Sequence, residues 1–112
     1  MAAPGNFDVS IEHAGNALVV APEGEIDLAT VDMVRAAVGE RQPAEDIVLD
    51  FRGVAFMDTS GLRYVLELNE RATREGFALR VVRGPQAVQR VFEVSGLEPR
   101  LPFVDDPSQR PG

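Results

Sequence analysis

Apolar and polar side chains alternate strictly over residues 7–12, and this period of two predicts a β-strand with one buried face. Gly15 and Asn16 form a turn signal, and the apolar run of residues 17–21 follows directly. The chain therefore begins with a predicted antiparallel β-hairpin. His13 lies at the turn end of the first strand, where we expect its ring to be exposed.

Apolar residues recur at helical spacing after this hairpin and predict a helix over residues 28–41, which ends before Pro43. The predicted inner stripe consists of Leu28, Val31, Val34 and Val38. Asp27 and Thr30 are both suitable N-cap residues, and the spacing alone does not choose between them.

A nearly continuous apolar run over residues 47–51 is typical of a strand that is buried on both faces. We expect residues 52–61 to form a loop, since small polar side chains cluster at the end of this segment. Gly76 is well placed to end the helix that follows. The inner stripe of that helix comprises Leu62, Val65, Leu66, Asn69 and Ala72.

The last third of the chain predicts a further strand and a third helix. The strand covers residues 77–82, and Pro85 suits the first turn of the helix. Gly96 is expected to end the helix, and residues 101–104 add a short edge strand, where Pro102 is tolerated. The predicted inner face of the helix comprises Ala87, Val88, Val91 and Phe92.

This order of elements, ββαβαβα with a short last strand, predicts an α/β fold built on a mixed sheet. An N-terminal β-hairpin is followed by βα repeats, giving about four or five strands with the helices mainly on one face. We expect a single domain over residues 7–104. Residues 1–6 and 105–112 are rich in proline, glycine and polar groups and are predicted to be disordered tails.

Composition removes several classes of function. The 112 residues, of which 45% are hydrophobic, suffice for one domain. There is no cysteine, which excludes disulfides, thiolate nucleophiles and cysteine-ligated metals. All 11 basic residues are arginine, so a Walker-A or Schiff-base lysine is absent, and the single histidine excludes two-histidine metal motifs. We expect neither a cofactor nor a metal.

Charge and hydropathy bear on partners and location. The 18 acidic residues against 11 basic ones give a net charge of −7, which makes nucleic acid an unfavourable partner. The N-terminal residues lack the basic and apolar regions of a secretory signal. No run approaches the roughly 20 apolar residues that a membrane span needs. We therefore expect a cytoplasmic protein with neither nucleic acid nor membrane as a direct partner.

The segment before the second helix carries the candidate chemistry. Asp58, Thr59 and Ser60 lie where a loop enters a helix, so one of them is expected to cap the helix, with Gly61 allowing close packing. Asp-Thr-Ser-Gly also resembles the catalytic loop of aspartic proteases, but here it opens a helix and has no second copy. A hydrolase nucleophile at Ser60 lacks the Gly-x-Ser-x-Gly pattern. Residue types alone leave a structural cap and a phosphorylation switch at Ser60 both open.

Four segments of the chain match one known pattern. Residues 20–27 end a strand with Gly-Glu-Ile-Asp, and residues 47–54 form a buried strand and its following turn. Phe56-Met-Asp-Thr-Ser-Gly-Leu62 precedes the second helix, and residues 91–97 end the third helix with Gly-Leu. Together these segments resemble the STAS domain, in the stand-alone form of bacterial anti-sigma-factor antagonists. The resemblance covers residues 7–104.

The resemblance implies a regulatory binding protein and not an enzyme. In that family, a partner that is both anti-sigma factor and GHKL-type serine kinase phosphorylates the serine that corresponds to Ser60. A PP2C-type phosphatase removes the phosphate. Thr59 stands where serine is commoner and is the alternate phosphorylation site.

Partner switching is the mechanism that the resemblance implies. The unphosphorylated form binds the anti-sigma factor and frees the sigma factor, and the phosphorylated form lets the anti-sigma factor go. The alternative is a stand-alone STAS scaffold, or a transporter-associated interaction subunit, with no sigma factor in its circuit.

The same resemblance implies a contact surface at the start of the second helix and the nearby end of the sheet. We expect Phe56 in the core, Met57 either in the core or at the interface, and Tyr64 partly exposed. The chain is expected to be a monomer. The predicted contact residues are Asp27, Met57, Asp58, Thr59, Ser60, Gly61, Arg63 and Tyr64.

Overall fold

A six-stranded mixed sheet and three helices account for residues 7–109, the part of the chain that the computed structural model describes. A 3₁₀ turn, Glu98–Arg100, precedes the last strand. This architecture confirms the predicted α/β fold with a mixed sheet, but the sheet has six strands and not the four or five predicted. The elements are β1 (Asp8–Ala14), β2 (Ala17–Ile26), α1 (Val31–Val38), β3 (Asp46–Asp50), β4 (Val54–Met57), α2 (Thr59–Glu75), β5 (Leu79–Val82), α3 (Gln86–Val94) and β6 (Phe103–Val104).

The sheet has the strand order β1-β2-β3-β5-β6, and β4 pairs with the far end of β2. Within the described residues, β1 alone runs antiparallel to its neighbour, and the other pairs are parallel. The predicted hairpin is confirmed, with Ala14 opposite Ala17 across the turn. The predicted edge strand is also confirmed as β6.

β2 is longer than predicted because it changes partner along its length. Its first half pairs with β3 as far as Val20, and its last residues pair with β4 after a register shift at Gly24 and Glu25. Pro22 lies between these two ladders and faces Val9 of β1, at a position that needs no hydrogen bond. Proline and glycine, which suggest a strand end in the sequence, therefore mark the change of partner.

The helices pack on one face of the sheet, as predicted, since all three contribute to one core. None of the helices in the described part of the chain has the length and apolarity needed to cross a membrane. The opposite face of the sheet carries a smaller apolar cluster of Ala17, Val48, Val82 and Val104. β3 is thus buried on both faces, as its continuous apolar run predicts. The main core includes Leu18, Val34, Leu49, Val65, Val81 and Phe92.

α1 covers Val31–Val38 and not 28–41, and Leu28 is 80% exposed instead of buried. The Asp27 carboxylate accepts the N–H groups of Ala29 and Thr30 at 2.9 and 3.1 Å, which folds this segment into a turn ahead of the helix. Thr30 occupies the N-cap position, but its hydroxyl accepts the Asp27 N–H at 2.9 Å instead of a helix N–H. Asp27 therefore builds the turn, and Thr30 begins the helix.

Residues 52–61 are not the predicted loop, because β4 forms within them and pairs with the end of β2. Val54 and Met57 are 0% and 1% exposed, whereas Phe56 is 48% exposed. The prediction that Phe56 lies in the core is therefore wrong. A strand of four residues with buried ends has neither the alternation nor the length that identifies a strand in a sequence.

The buried faces of α2 and α3 are rotated from the predicted stripes. Leu62 and Leu66 of α2 are only partly buried, and Ala87 of α3 is exposed. Both helix ends are nevertheless confirmed, since Gly76 and Gly96 adopt φ values of 81° and 75° just beyond them. The residues that α2 buries are Gly61, Tyr64, Val65, Leu68 and Ala72.

Hydrogen bonds and one ion pair occur in the first part of the predicted C-terminal tail, 105–112. Asp105 pairs with Arg83 at 2.8 Å, and Ser108 donates its N–H to Asp106 at 2.8 Å. Asp105 is thus paired with the residue that follows β5, whereas Asp106 and Ser108 bond to each other. The predicted N-terminal tail, 1–6, and the remaining residues 110–112 lie outside the described residues.

Candidate functional site

Asp58 joins the end of β4, the end of β2 and the start of α2. Its N–H donates to the Ile26 carbonyl at 3.1 Å, and its own carbonyl accepts the Gly61 N–H at 3.1 Å. Its side chain occupies the N-cap position, where Oδ1 accepts the Ser60 N–H at 2.8 Å. Of the capping residues that the sequence offers, the carboxylate is therefore the one that caps α2.

The Ser60 hydroxyl takes no part in this cap. Ser60 lies in the first turn of α2 and is partly exposed, and Thr59 before it is exposed. Within residues 7–109 neither hydroxyl has a hydrogen-bond partner, and the cap bond comes from Asp58. Ser60 is therefore not needed to hold the start of the helix, and its oxygen is accessible to a second protein.

Gly61 lets α2 approach the sheet closely. A Cβ at this position would lie 2.5 Å from Met57 Cγ and 3.1 Å from Ile26 Cγ2, too close for a side chain. Met57 is 1% exposed and fills the space beneath the helix start. Of the two positions expected for Met57, the structure shows the core, and Gly61 is buried beside it, so both support the surface from below.

Asp27 lies at the same end of the sheet as Asp58. Asp27 follows β2, Asp58 follows β4, and these strands are parallel neighbours with Ile26 opposite Met57. The two carboxylates make this end of the sheet acidic before any modification of Ser60. Among residues 7–109, no three His, Cys, Asp or Glu side chains are grouped so that they could hold a metal ion.

A groove of about 240 Å³ runs between α1 and α2 beside Ser60. Leu28 lines it with most of its side chain exposed to solvent. Helical spacing predicts that Leu28 lies in the core. The turn that Asp27 forms makes the helix begin after Leu28, and the tendency of Asp27 to form an Asx turn is the sequence feature that could have indicated this. The other residues that line the groove are Val31, Asp32, Arg35, Arg63, Tyr64 and Glu67.

Tyr64 is a buried wall of this groove and not the partly exposed residue expected from the sequence. It is 6% exposed, and the guanidinium of Arg35 lies 4.7 Å from its ring centroid. Arg35 is held there by Glu67 at 3.0 Å. Burial raises the pKa of the Tyr64 hydroxyl to about 12. Arg63, by contrast, is exposed, and within the described residues it forms no ion pair.

Asp58→Ala is expected to lower the free energy of unfolding by about 0.5–2 kcal/mol, because it removes the cap bond to the Ser60 N–H. Ser60→Ala is the matched control and should change it by less than about 0.5 kcal/mol, since the hydroxyl makes no bond. Urea unfolding followed by circular dichroism measures both values. A larger loss for Ser60→Ala than for Asp58→Ala would place the cap at the serine.

Comparison with known proteins gives one consistent family. A family model described as the STAS domain matches residues 8–109. The chain is 34% identical over 104 residues to an anti-sigma F factor antagonist of Paenibacillus polymyxa, and the match covers 90% of this chain and 89% of the relative. It is 29% identical over 97 residues to the anti-sigma-F factor antagonist RsfA of Mycobacterium tuberculosis, over 83% of this chain and 76% of the relative.

Solved structures share the same fold. An anti-sigma factor antagonist from Mycobacterium paratuberculosis is similar with a TM-score of 0.79 and 25% identity, over 95% of this chain and 92% of that one. The anti-sigma factor antagonist SpoIIAA in its unphosphorylated form is similar with a TM-score of 0.71 and 26% identity, over 87% of this chain and 88% of that one. Because the family model spans nearly the whole described fold and the fold itself agrees, the chain belongs to the STAS domain family.

Proposed function

We propose that this chain is an anti-sigma-factor antagonist whose binding is switched off by phosphorylation of Ser60. Its partner is an anti-sigma factor that is also a GHKL-type serine kinase, and a PP2C-type phosphatase restores the binding form. The names of its relatives support the antagonist role. The observation that carries the switch is the unbonded Ser60 hydroxyl at a helix start that Asp58 caps.

The fold is expected to survive phosphorylation unchanged. A phosphate on Ser60 adds about −1.5 to −2 charges to a chain whose net charge is −7. The N-terminus of α2 tolerates the added anion, because its free N–H groups and its dipole favour negative charge. The cap bond involves the Ser60 backbone and not its hydroxyl, so the modification leaves that bond in place.

The phosphate is expected to destabilise the complex with the partner and not the fold. Asp27 and Asp58 already make this surface acidic, so a bound partner must complement two carboxylates and a neutral hydroxyl. After phosphorylation the same interface would bury an additional uncompensated anion, which costs several kcal/mol. A loss of about 3 kcal/mol lowers the affinity more than a hundredfold. One modification therefore releases the partner without refolding.

Leu28 supplies the apolar anchor of the proposed surface. It is 80% exposed and lies in the groove that also contains Ser60. Full burial of a leucine side chain contributes about 1.5–3 kcal/mol. Met57, Gly61 and Tyr64 hold this surface from below. The proposed contact residues are Asp27, Leu28, Asp58, Thr59, Ser60 and Arg63.

Ser60→Asp is expected to lose the kinase partner and Ser60→Ala to keep it, because only the first adds charge to the contact surface. Pull-downs from native lysate with these two baits, compared by mass spectrometry, test this. A small ATP-binding serine kinase on the Ala bait alone is the expected result. Titration of the recovered kinase should show an affinity for Ser60→Asp that is lower by about a hundredfold or more.

The same kinase with ATP should phosphorylate the wild-type chain and leave Ser60→Ala unmodified in intact-mass spectra. Modification of Ser60→Ala would move the site to Thr59. Identical partners on both baits, with no such kinase, would contradict the switch and favour the stand-alone scaffold or transporter-associated subunit.

Leu28→Ala is expected to weaken kinase binding about tenfold or more, because the apolar anchor is lost. Val94 of α3 is 81% exposed and lies outside the groove, so Val94→Ala is the matched control and should bind like the wild-type chain. Neither variant should change the thermal unfolding midpoint, since neither side chain is buried. Isothermal titration calorimetry measures the affinities, and equal values for all three proteins would remove Leu28 from the contact surface.

A further inference from the structure

β1 leaves one edge of the sheet open. It is the first strand in the sheet order and, within residues 7–109, pairs with β2 alone. The opposite edge is protected, because β6 has two residues and follows Pro102. β1 has seven residues, contains no proline, and keeps one register with β2 without a bulge, and its charged residues are Asp8 and Glu12. An open strand of this kind is a template for pairing with another strand.

The turn after β1 determines which backbone groups face outward. Ala14 directly precedes a two-residue turn, in which Gly15 has a φ of 60°, so Ala14 forms a hydrogen-bonded pair with its partner in β2. Such pairs recur at every second residue of an antiparallel ladder. The N–H and C=O groups of Val9, Ile11 and His13 therefore point away from β2. Three residues present six backbone groups along the open edge.

These three residues are placed symmetrically about Ile11. When a second copy of the chain adds its own β1 antiparallel with a twofold axis at Ile11, Ile11 faces Ile11 and Val9 faces His13. All six outward groups of each copy then form hydrogen bonds. In the same register Asp8 and Glu12 both lie opposite uncharged residues, so no carboxylate faces another carboxylate.

Apolar surface beside the edge favours the same partner. Ile11 is 43% exposed and borders a groove of about 310 Å³ between β1 and α1. In the antiparallel register the two Ile11 side chains lie on this face of the joined sheet and cover apolar surface of both copies. The apolar lining of the groove consists of Val9, Ile11, Met33, Ala36 and Ala37.

We propose that β1 is the interface of a symmetric homodimer, in which the sheet of one copy continues into the sheet of the other. A second copy is the partner because the outward backbone groups pair with themselves about Ile11, the apolar surfaces at Ile11 of both copies meet, and in this register no carboxylate lies directly opposite another. A monomer–dimer equilibrium replaces the expected monomer. α1 lines this groove and the Ser60 groove with different residues, so the dimer leaves the Ser60 surface open and does not depend on the switch.

Two lysine variants of β1 test the register. Ile11→Lys places two like charges against each other at the twofold axis, whereas Ser10→Lys places the same charge opposite Glu12 of the second copy. Sedimentation equilibrium over a concentration series should show a dimer for the wild-type chain, none for Ile11→Lys, and an equal or tighter dimer for Ser10→Lys. Both positions are exposed, so both variants should keep the wild-type circular dichroism spectrum. A wild-type chain that stays monomeric, or equal effects of the two lysines, would overturn the proposal.

A single cysteine gives an independent measurement, since the chain has none of its own. The Cα atoms of a hydrogen-bonded antiparallel pair lie about 5.5 Å apart, which a disulfide can span. Ile11→Cys is therefore expected to form a disulfide-linked dimer under mild oxidation. His13→Cys, on the same edge but opposite Val9, is the control and should crosslink only at the rate of random collision. Faster crosslinking of His13→Cys on a non-reducing gel would refute the register centred on Ile11.

Discussion

The hydrogen bonds of Asp58 fix the start of α2 to the ends of two parallel strands. Its N–H binds the carbonyl at the end of β2, and its carboxylate and carbonyl bind the first turn of α2. Gly61 packs against Met57 and Ile26 at the same junction, where there is no room for a side chain. The position of Ser60 is thus set by neighbours that are buried or already bonded.

Because its neighbours hold Ser60 in place, a change of charge at Ser60 can act without a change in the fold. The hydroxyl of Ser60 is the part of the junction without a structural task, so it can change chemically while the cap persists. The groove between α1 and α2 and the exposed Leu28 place apolar surface beside that hydroxyl. The β1 edge lies apart from this groove, so the proposed partner switching and the proposed self-association would use separate surfaces of one small domain.

The hairpin strand β1 and the course of α2 were predictable from their regular hydrophobic periods, and β3 was predictable from its continuous apolar run. β4 was not predictable, because its four residues lack alternation and its existence depends on pairing with a distant part of β2. Leu28 and Phe56 were wrongly placed in the core, since only the Asp27-led turn and the β4 pairing bring them to the surface. The motif located the candidate site, but geometry was needed to show that Asp58 caps the helix and Ser60 does not.

Amide proton–nitrogen correlation spectra of the wild-type chain and of Ser60→Asp test most directly whether charge at Ser60 acts without refolding. Shift changes are expected only in the first turn of α2 and in the neighbouring turn at Asp27. Core residues of the sheet such as Val48 and Val81 should keep their resonance positions. Displaced resonances throughout β3 and β5 would show that the charge remodels the fold, and would contradict a switch that acts at the surface.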